Sequence, residues 1–395
     1  MKNRLSHRLQ NISYSQTLAM SSKARELKNK GYDIINLSLG EPNFYPPDFV
    51  LDAAKKAINE GYHYYTPVSG YLELRETICK KFSRDNGLKY LPSQIVVSTG
   101  VKQSIMNALL SLLNRNDEVI IPTPYWVSYY QMVKLCEASP VIIPTTMEKK
   151  FKIHPKQLEE AITPKTKLFI FSTPCNPTGS VYSYKELKNL SEIFKKHPKI
   201  LILSDEIYEH ICYEEKHTSI AIFPDIYNQV ITLNGLSKAF SMTGWRIGYI
   251  GAPEWIAKSC DKIQGQITSC ANSIAQRAAI SALQASPSEI TYMIKEFKKR
   301  RDLVLKMIKE INGFQINKPH GAFYVFPKVS DLFGKKFYGR IIQNSDDLSD
   351  FLLEKAQVAT VSGSAFGDKD CLRISYASTE KKIIEALTRI KKTLM

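Results

Sequence analysis

The sequence has no run of about 20 apolar residues, the length that a membrane-spanning helix needs. It also has no CxxC pair and no cysteine–histidine cluster, although it contains seven cysteines. An odd number of scattered cysteines argues against a disulfide framework and a zinc site, so we predict no metal and a reducing, cytoplasmic location. The basic N-terminal segment MKNRLSHRLQ lacks the apolar core of a secretory signal, while a transit peptide stays conceivable.

Acidic residues are in the minority, since 38 Asp and Glu oppose 54 Lys and Arg and the formal net charge is +16. Such an excess can indicate a nucleic-acid partner. The basic residues are scattered among acids, however, and the densest run, residues 295–301, has apolar residues at helical spacing. A solvated helix face explains that pattern better, so we predict no nucleic-acid and no membrane partner.

Short apolar runs alternate with longer helical patterns and contain no internal repeat. The predicted strands are Ile95–Thr99, Glu118–Pro122, Pro140–Pro144, Lys167–Ser172, Ile200–Ser204, Val230–Leu233 and Ile247–Gly251. Continuous apolar strands are typical of sheets covered on both faces, and alternation with helices implies crossover connections. We therefore predict an α/β fold with a mostly parallel seven-stranded sheet, whose ligands lie beyond the carboxyl ends of the strands.

The pattern changes after about residue 285. A long helical stretch, Ser288–Ile311, precedes short strand-like pieces at Ala322–Phe326, Val358–Val361 and Leu372–Ser375. The first 45 or so residues indicate a helix and an extended arm. We predict a large domain over residues 48–285 and a smaller α+β domain formed by residues 1–47 and 286–395, with an N-terminal arm.

Polar residues with chemical potential follow several predicted strands. Lys238 lies among small and apolar residues, where an amine loses its proton more easily, although most such lysines are salt-bridged or reach the surface. Asp205 ends a strand, where it could keep a pyridine nitrogen protonated or simply cap a helix. Asn176 fits a tight turn, and Tyr208 could equally be a core residue.

A glycine, Gly100, stands between a strand and a helical pattern, where backbone amides can meet a phosphate at a helix N-terminus. Arg246 could add a bidentate phosphate contact. Together with the Asn-Pro-Thr-Gly block at 176–179, the Asp-x-x-Tyr block at 205–208 and the block from Ser237 to Gly248, these residues resemble the class I (fold type I) pyridoxal-phosphate-dependent aminotransferases. The resemblance extends from the Gly40 region to the Arg373 region.

The resemblance assigns a cofactor role to each matching position. It implies that Lys238 holds pyridoxal phosphate as a Schiff base and moves a proton, while Asp205 pairs with the ring nitrogen. Asn176 and Tyr208 would bond to the ring oxygen and Trp126 would stack on the ring. The phosphate would be held by Gly100, Val101, Lys102, Ser237 and Arg246. Many family members have a serine where this chain has Gly235, which leaves one phosphate contact in doubt.

The resemblance also implies how a substrate is bound. Arg373 matches the arginine that clamps the substrate α-carboxylate, assisted by the Gly40 amide. Tyr65, with Tyr64 as the nearby alternative, matches a tyrosine that reaches the partner subunit's phosphate, which implies a homodimer with shared sites. In the bacterial aspartate aminotransferase subgroup (Iβ, prephenate-capable), Lys102 would read the distal carboxylate. Ser15 and Thr17 would help to close over acidic substrates.

We therefore expect an aminotransferase that moves the amino group of aspartate to 2-oxoglutarate in two half-reactions. An aromatic or prephenate aminotransferase and a C–S lyase on the same fold are the alternatives, because the cofactor chemistry begins identically. A DNA-binding regulator built on this fold needs an added domain, and the aminotransferase pattern starts within about the first 20 residues. That rival is therefore disfavoured.

Overall fold

The computed structural model describes residues 5–395 and contains fourteen strands. They are β1 (Ile35–Asn36), β2 (Ile95–Thr99), β3 (Glu118–Pro122), β4 (Ser139–Ile143), β5 (Thr166–Ser172), β6 (Leu201–Asp205), β7 (Val230–Gly235), β8 (Ile247–Gly251), β9 (Tyr324–Val325), β10 (Lys336–Phe337), β11 (Arg340–Ile341), β12 (Val358–Ala359), β13 (Val361–Ser362) and β14 (Leu372–Ser375).

The predicted seven-stranded sheet is confirmed. Its order is β2-β8-β7-β6-β5-β3-β4, and every pairing is parallel except the two made by β8. The central strands β5, β6 and β7 are almost entirely buried, as their continuous apolar sequences require. Strand β6 ends one residue later than predicted, because Asp205 still pairs with Ser172 and Leu233 of the neighbouring strands.

Thirteen α-helices surround the sheets in the described part of the chain. They are α1 (His7–Gln10), α2 (Gln16–Asn29), α3 (Asp48–Asn59), α4 (Leu72–Lys81), α5 (Val101–Leu112), α6 (Ser128–Leu135), α7 (Pro155–Ala161), α8 (Tyr184–Lys196), α9 (Glu254–Ile267), α10 (Ser273–Gln284), α11 (Thr291–Ile308), α12 (Ser345–Phe351) and α13 (Glu380–Thr393). Helix α5 packs against β2, β7, β8 and α9, and α10 packs against α3 and α4.

The C-terminal third contains smaller sheets. Strands β13, β14 and β9 form an antiparallel sheet, and β10 pairs with β11. The stretch predicted as one strand, Val358–Val361, is divided at Thr360, because β12 pairs with β1 of the N-terminal arm while β13 pairs with β14. The predicted helix Ser288–Ile311 is a 3₁₀ turn, Pro287–Ile290, followed by α11. The domain boundaries at 48–285 stay a prediction.

The carboxyl ends of β5, β6 and β7 meet at one edge of the central sheet, since these strands run parallel. The segments that follow them contain Asn176, Tyr208 and Lys238. Strand β14 brings Arg373 from the C-terminal region. None of the described helices is long and apolar enough to span a membrane.

Candidate active site

A cavity of about 210 Å³ lies at this edge of the central sheet. Most of the predicted site residues line it, namely Thr17, Gly40, Val101, Lys102, Trp126, Asn176, Asp205, Tyr208, Ser237, Lys238, Arg246 and Arg373. Residues from the N-terminal arm, the central sheet and the C-terminal sheet thus meet around one space. The Lys238 amine and the Asp205 carboxylate are both part of the cavity lining.

The Lys238 amine lies in the loop that follows β7. Its Nζ donates a hydrogen bond to the Gly40 carbonyl oxygen at 2.7 Å and lies 5.9 Å from the centre of the Tyr208 ring. Burial lowers the pKa of Lys238 to about 8, although Glu41 opposes this shift. About a tenth of such an amine is uncharged at pH 7, far more than at the ordinary lysine pKa, and this uncharged form can act as a nucleophile.

The Asp205 carboxylate is buried at the end of β6. Its Oδ2 accepts a hydrogen bond from the Tyr129 hydroxyl at 2.6 Å, and its Oδ1 accepts one from the Ile207 amide at 3.2 Å. Burial raises the pKa of Asp205 to about 6, while the bonds from Tyr129 and Ile207 act in the opposite direction. The carboxylate is therefore largely charged at neutral pH and suited to pair with a cationic ring nitrogen.

The N-terminus of α5 forms the cradle at one side of the cavity. Gly100 caps the helix with φ +81°, and a β-carbon there would overlap the Arg246 guanidinium. Arg246 donates to the Thr243 carbonyl at 2.8 Å, and no carboxylate among the described residues pairs with it. Exposed helix amides and an unpaired guanidinium together favour binding of an anion.

Gly235, where a serine is common in the resembling family, has no space for a side chain. A β-carbon there would lie 2.7 Å from the Ile247 carbonyl oxygen and 3.0 Å from the Gly248 Cα. The close approach of β7 and β8 explains the glycine. It leaves the anion contacts to the α5 amides, Ser237 and Arg246.

Arg373 on β14 is almost completely buried. It donates from Nη1 to Asn176 Oδ1 at 2.8 Å and from Nη2 to the Ser38 carbonyl, while its Nε has no hydrogen-bond partner. Its guanidinium lies 4.7 Å from the ring centres of both Tyr324 and Phe366. Burial lowers the pKa of Arg373. A buried guanidinium with free donor capacity is a receptor for a carboxylate.

The sequence profile of the family Aminotransferase class I and II matches residues 32–390. The chain belongs to this family. It is 47% identical to a probable aspartate/prephenate aminotransferase of Rhizobium leguminosarum bv. phaseoli over 98% of both chains. It is 46% identical to a bifunctional aspartate aminotransferase and glutamate/aspartate-prephenate aminotransferase of Petunia hybrida, covering 99% of this chain and 83% of that protein.

The fold agrees with solved structures of this family. The crystal structure of the aspartate aminotransferase from Rhizobium meliloti superposes with a TM-score of 0.96 at 40% identity and covers 99% of this chain and 98% of that one. The Thermus thermophilus aspartate aminotransferase with maleate gives a TM-score of 0.92 at 36% identity, covering 99% of each chain. The fold type predicted from the sequence motifs is confirmed.

Members of this family of aminotransferases use pyridoxal phosphate, and the residues present fit that group. A lysine with an easily lost proton and a largely charged aspartate line the same cavity. The helix cradle at Gly100 has no protein carboxylate against it among the described residues. An aldehyde, a ring nitrogen and a phosphate are the groups that these three features suit.

The sequence analysis did not identify five residues that line the cavity, namely Tyr129, Ser172, Ile207, Thr243 and Tyr324. Tyr129 in α6 follows Trp126 by three residues, and the centres of the two rings, packed edge to face, are 5.4 Å apart. That spacing was the only signal that could have suggested it. Tyr324 comes from β9, more than 110 residues from Tyr208 in the chain, and nothing in the sequence connects the two.

Three predicted residues do not line the cavity. Gly100 lies directly behind it, as the cap of α5. Ser15 caps α2 without a side-chain hydrogen bond, while Thr17 two residues later has a buried hydroxyl with no partner. Tyr65 is 91% exposed and its neighbour Tyr64 is 77% exposed. The structure of one chain therefore leaves the roles of Ser15 and Tyr65 as predictions.

Two groups of acids and histidines lie close together outside the cavity: Asp85, Glu209 and His210, and Glu206, Glu209 and His217. The Lys81 ammonium pairs with Glu209. His217 Nε2 bonds Glu206 at 3.0 Å, and the hydroxyls of Ser204 and Ser219 donate to the same carboxylate. Internal partners thus account for both groups, and the absence of a metal stays a prediction.

Proposed function

We propose that this aminotransferase transfers the amino group of aspartate to 2-oxoglutarate, giving oxaloacetate and glutamate. The observation that carries the proposal is the convergence of Lys238, Asp205 and Arg373 on one cavity. The names of the relatives, which refer to aspartate and prephenate, support aspartate as the amino donor. Prephenate is the second candidate, as an amino-group acceptor, on the strength of those same names.

Pyridoxal phosphate, when bound, supplies an aromatic ring that withdraws electrons from the substrate Cα. Lys238 Nζ would hold the cofactor covalently, and as a free amine it would take the proton from the substrate Cα. Asp205 keeps the ring nitrogen protonated through its charge, and the Tyr129 hydroxyl holds that carboxylate in place. Tyr208 and Asn176 would donate to the ring oxygen, and Trp126 would pack against the ring.

The phosphate is held by the chain's own helix terminus and one arginine. The amides of Val101 and Lys102 at the start of α5 and the Ser237 hydroxyl would donate to it, whereas the predicted Gly100 amide already donates to the Ser98 carbonyl oxygen at 2.7 Å. Arg246 supplies the charge. These contacts would keep the cofactor in place when it is not bonded to Lys238.

The substrate is fixed by Arg373, whose fork takes the α-carboxylate and orients the Cα–H bond for removal. The Gly40 amide assists. Lys102, whose Nζ lies 5.0 Å from the centre of the Trp126 ring at the rim of the cavity, attracts the distal carboxylate. Thr17, with its unpartnered hydroxyl, and Ser15 lie on the N-terminal segment that closes over acidic side chains.

The variant Lys238→Ala tests the proposal directly. It should abolish aspartate transamination and remove the near-visible absorbance of the lysine-bound cofactor, whereas the exposed Lys258→Ala should change neither. Substantial amino transfer by Lys238→Ala would refute the catalytic assignment. Wild-type transfer from aspartate, tyrosine and cystathionine should favour aspartate, and release of pyruvate and ammonia from cystathionine would favour a lyase instead.

A homodimer with shared sites is also part of the proposal. The high exposure of Tyr65 supports it, since a tyrosine directed away from its own cavity is free to contact a second copy. Mixing the inactive Lys238→Ala chain with a Tyr65→Ala chain should form mixed dimers with one intact site and restore about a quarter of wild-type activity. Tyr64→Ala in the same mixture is the control, and no restoration would reject sharing through Tyr65.

A cytoplasmic location remains our proposal as well. All seven cysteines are free, which a reducing compartment favours. The two-domain division at residues 48–285 likewise remains proposed, and limited proteolysis near both boundaries would test it.

A further inference from the structure

Tyr324 occupies a position between the two ends of the cavity. Its hydroxyl lies 2.8 Å from the Tyr208 hydroxyl, and its ring lies under the Arg373 guanidinium at 4.7 Å. The hydroxyl is also packed against the Gly40 backbone, because a β-carbon at Gly40 would overlap it. Tyr324 is 1% exposed, so its contacts are shielded from bulk water.

We propose that Tyr324 is a positioning residue that donates its hydroxyl proton to Tyr208 and thereby strengthens the bond from Tyr208 to the cofactor's ring oxygen. This inference rests on the proposed function, since it takes Tyr208 as the donor to that oxygen. The same side chain supports Arg373 through its ring. Tyr324 therefore connects the group that tunes the cofactor with the group that binds the substrate.

The direction of the hydrogen bond follows from counting protons. A tyrosine hydroxyl has one proton to donate. If Tyr208 gives its proton to the ring oxygen, the proton between the two tyrosines belongs to Tyr324. Hydrogen bonds in series polarise each other, so a donor behind Tyr208 makes it a better donor in turn.

The Arg373 cation acts in the same direction on both tyrosines. Burial raises the pKa of Tyr324, but Arg373 lowers it, so the cation makes the Tyr324 hydroxyl a stronger donor. Burial, followed by Tyr324, raises the pKa of Tyr208 and keeps that hydroxyl protonated, whereas Arg373 lowers the same pKa and so favours donation to the ring oxygen. Asp205 opposes the effect of Arg373 on the pKa of Tyr208, and Lys238 Nζ lies 5.9 Å from the centre of the Tyr208 ring. The proposed series of hydrogen bonds therefore starts at Tyr324, beside the Arg373 cation, and continues through Tyr208 to the cofactor.

A matched pair of tyrosines elsewhere in the chain provides the control. The hydroxyls of Tyr213 and Tyr376 are 3.2 Å apart, and the Arg301 guanidinium lies 4.9 Å from the Tyr213 ring. Tyr376 is completely buried, like Tyr324, but it does not line the cavity. Tyr376→Phe thus removes a comparable hydroxyl without touching the site.

The experiment measures the pH at which the near-visible absorbance of the lysine-bound cofactor changes. Tyr208→Phe should raise that pH, and the size of its shift is the reference for the other variants. Tyr324→Phe, which keeps the ring, should move it in the same direction by about 0.3 unit, with little change in the KM for aspartate. Tyr324→Leu, which also removes the ring from Arg373, should raise the KM about tenfold in addition. Tyr376→Phe should leave both quantities as in the wild type.

The outcomes separate the inference from the proposal beneath it. An unshifted Tyr324→Phe beside a shifted Tyr208→Phe would overturn the role of Tyr324 and leave the aminotransferase intact. Equal shifts in Tyr324→Phe and Tyr376→Phe would also overturn it, since they would indicate general loosening. A wild-type protein with no such absorbance would overturn both. If Tyr324→Leu fails to fold, the comparison of the two phenylalanine variants still decides.

Discussion

Arg373 and Arg301 occupy similar surroundings with different partners. Both guanidinium groups are almost fully buried, and both stack on one member of a hydrogen-bonded tyrosine pair. Arg301 is neutralised by Glu214 at 2.9 Å and Asp302 at 2.7 Å, and it also donates to the Pro319 carbonyl. Arg373 has only the neutral oxygens of Asn176 and Ser38, and no carboxylate pairs with it among the described residues.

The difference teaches how to separate a structural cation from a functional one. Burial alone acts to lower the pKa of both arginines. Acidic partners reverse that effect and raise the pKa of Arg301, whereas the pKa of Arg373 stays lowered. A buried charge without a counter-charge is costly, and the fold retains Arg373 in that state. We propose that a substrate carboxylate supplies the missing counter-charge.

The largest expected effect is the loss of activity in Arg373→Ala. Without the fork, both substrate binding and alignment suffer, so the KM should rise, kcat should fall, and kcat/KM for aspartate should decrease about 1000-fold. Steady-state kinetics measure this, and thermal unfolding should show little loss of stability. A kcat/KM within a few-fold of the wild type would contradict the proposed difference between Arg373 and Arg301.

Arg301→Ala should show the opposite pattern. Removing this cation leaves Glu214 with Lys318 alone and Asp302 with Lys298 alone, and it leaves the Pro319 carbonyl without the Arg301 donor. Because both acids are partly exposed, we expect the free energy of unfolding to fall by about 3 kcal/mol at most. The specific activity of the folded fraction should remain near that of the wild type. Denaturant titration and kinetics on one preparation test both statements.

Sequence reasoning predicted the central sheet well because its strands are buried on both faces. Apolar runs such as KLFIF must be buried on both faces, and a central sheet covered by helices provides that burial. The carboxyl ends of these strands then bring Asn176, Asp205 and Lys238 together. The short strands of the C-terminal region were less predictable. Val358–Val361 was wrong as a single strand, because its division depends on partners from β1 and β14 that are distant in sequence.

The contrast between Arg301 and Arg373 could not be predicted at all. Whether a buried cation has an acid beside it depends on contacts such as Arg301 to Glu214, which are 87 residues apart in the chain. Tyr324 was missed for the same reason. Motif resemblance supplied the residues that we propose to contact cofactor and substrate, and the residues that support them could be found only from the structure.

The comparison extends to two buried lysines. Lys81 pairs with Glu209 and Asp85, whereas the Lys238 ammonium donates to a carbonyl oxygen. The folded pKa of Lys238, about 8, lies below the ordinary 10.5, so the cost of its charge is fully present below pH 8 and disappears above about pH 10.5. Lys238→Met should therefore stabilise the cofactor-free protein at pH 7 by about 2 kcal/mol and lose that gain towards pH 10.5.

Lys81→Met is the matched control for that measurement. It removes the ammonium group that pairs with the buried Glu209 carboxylate, so it should destabilise the cofactor-free protein rather than stabilise it. Denaturant titrations at pH 7 and above pH 10 measure both variants. Equal destabilisation by the two substitutions would show that Lys238 is as well paired as Lys81, contrary to the geometry.

The smallest expected effect concerns Tyr129, whose hydroxyl bonds a carboxylate, and Tyr90, whose hydroxyl bonds Thr232 Oγ1 at 3.0 Å. The Tyr129 bond holds down the pKa of Asp205, which burial raises to about 6. Without it, Asp205 takes up a proton at higher pH. Tyr129→Phe should therefore weaken pyridoxal-phosphate binding to the cofactor-free protein about fivefold, more at pH 6.5 than at pH 8.5.

Fluorescence titration of the cofactor into each variant at the two pH values measures this effect. Tyr90→Phe loses a buried hydroxyl of the same kind and should bind the cofactor like the wild type, because its partner carries no charge. A loss in Tyr129→Phe that is independent of pH would mean that its hydroxyl only packs against Asp205. The distinction between partners would then hold for the cations Arg301 and Arg373 but not for the tyrosines.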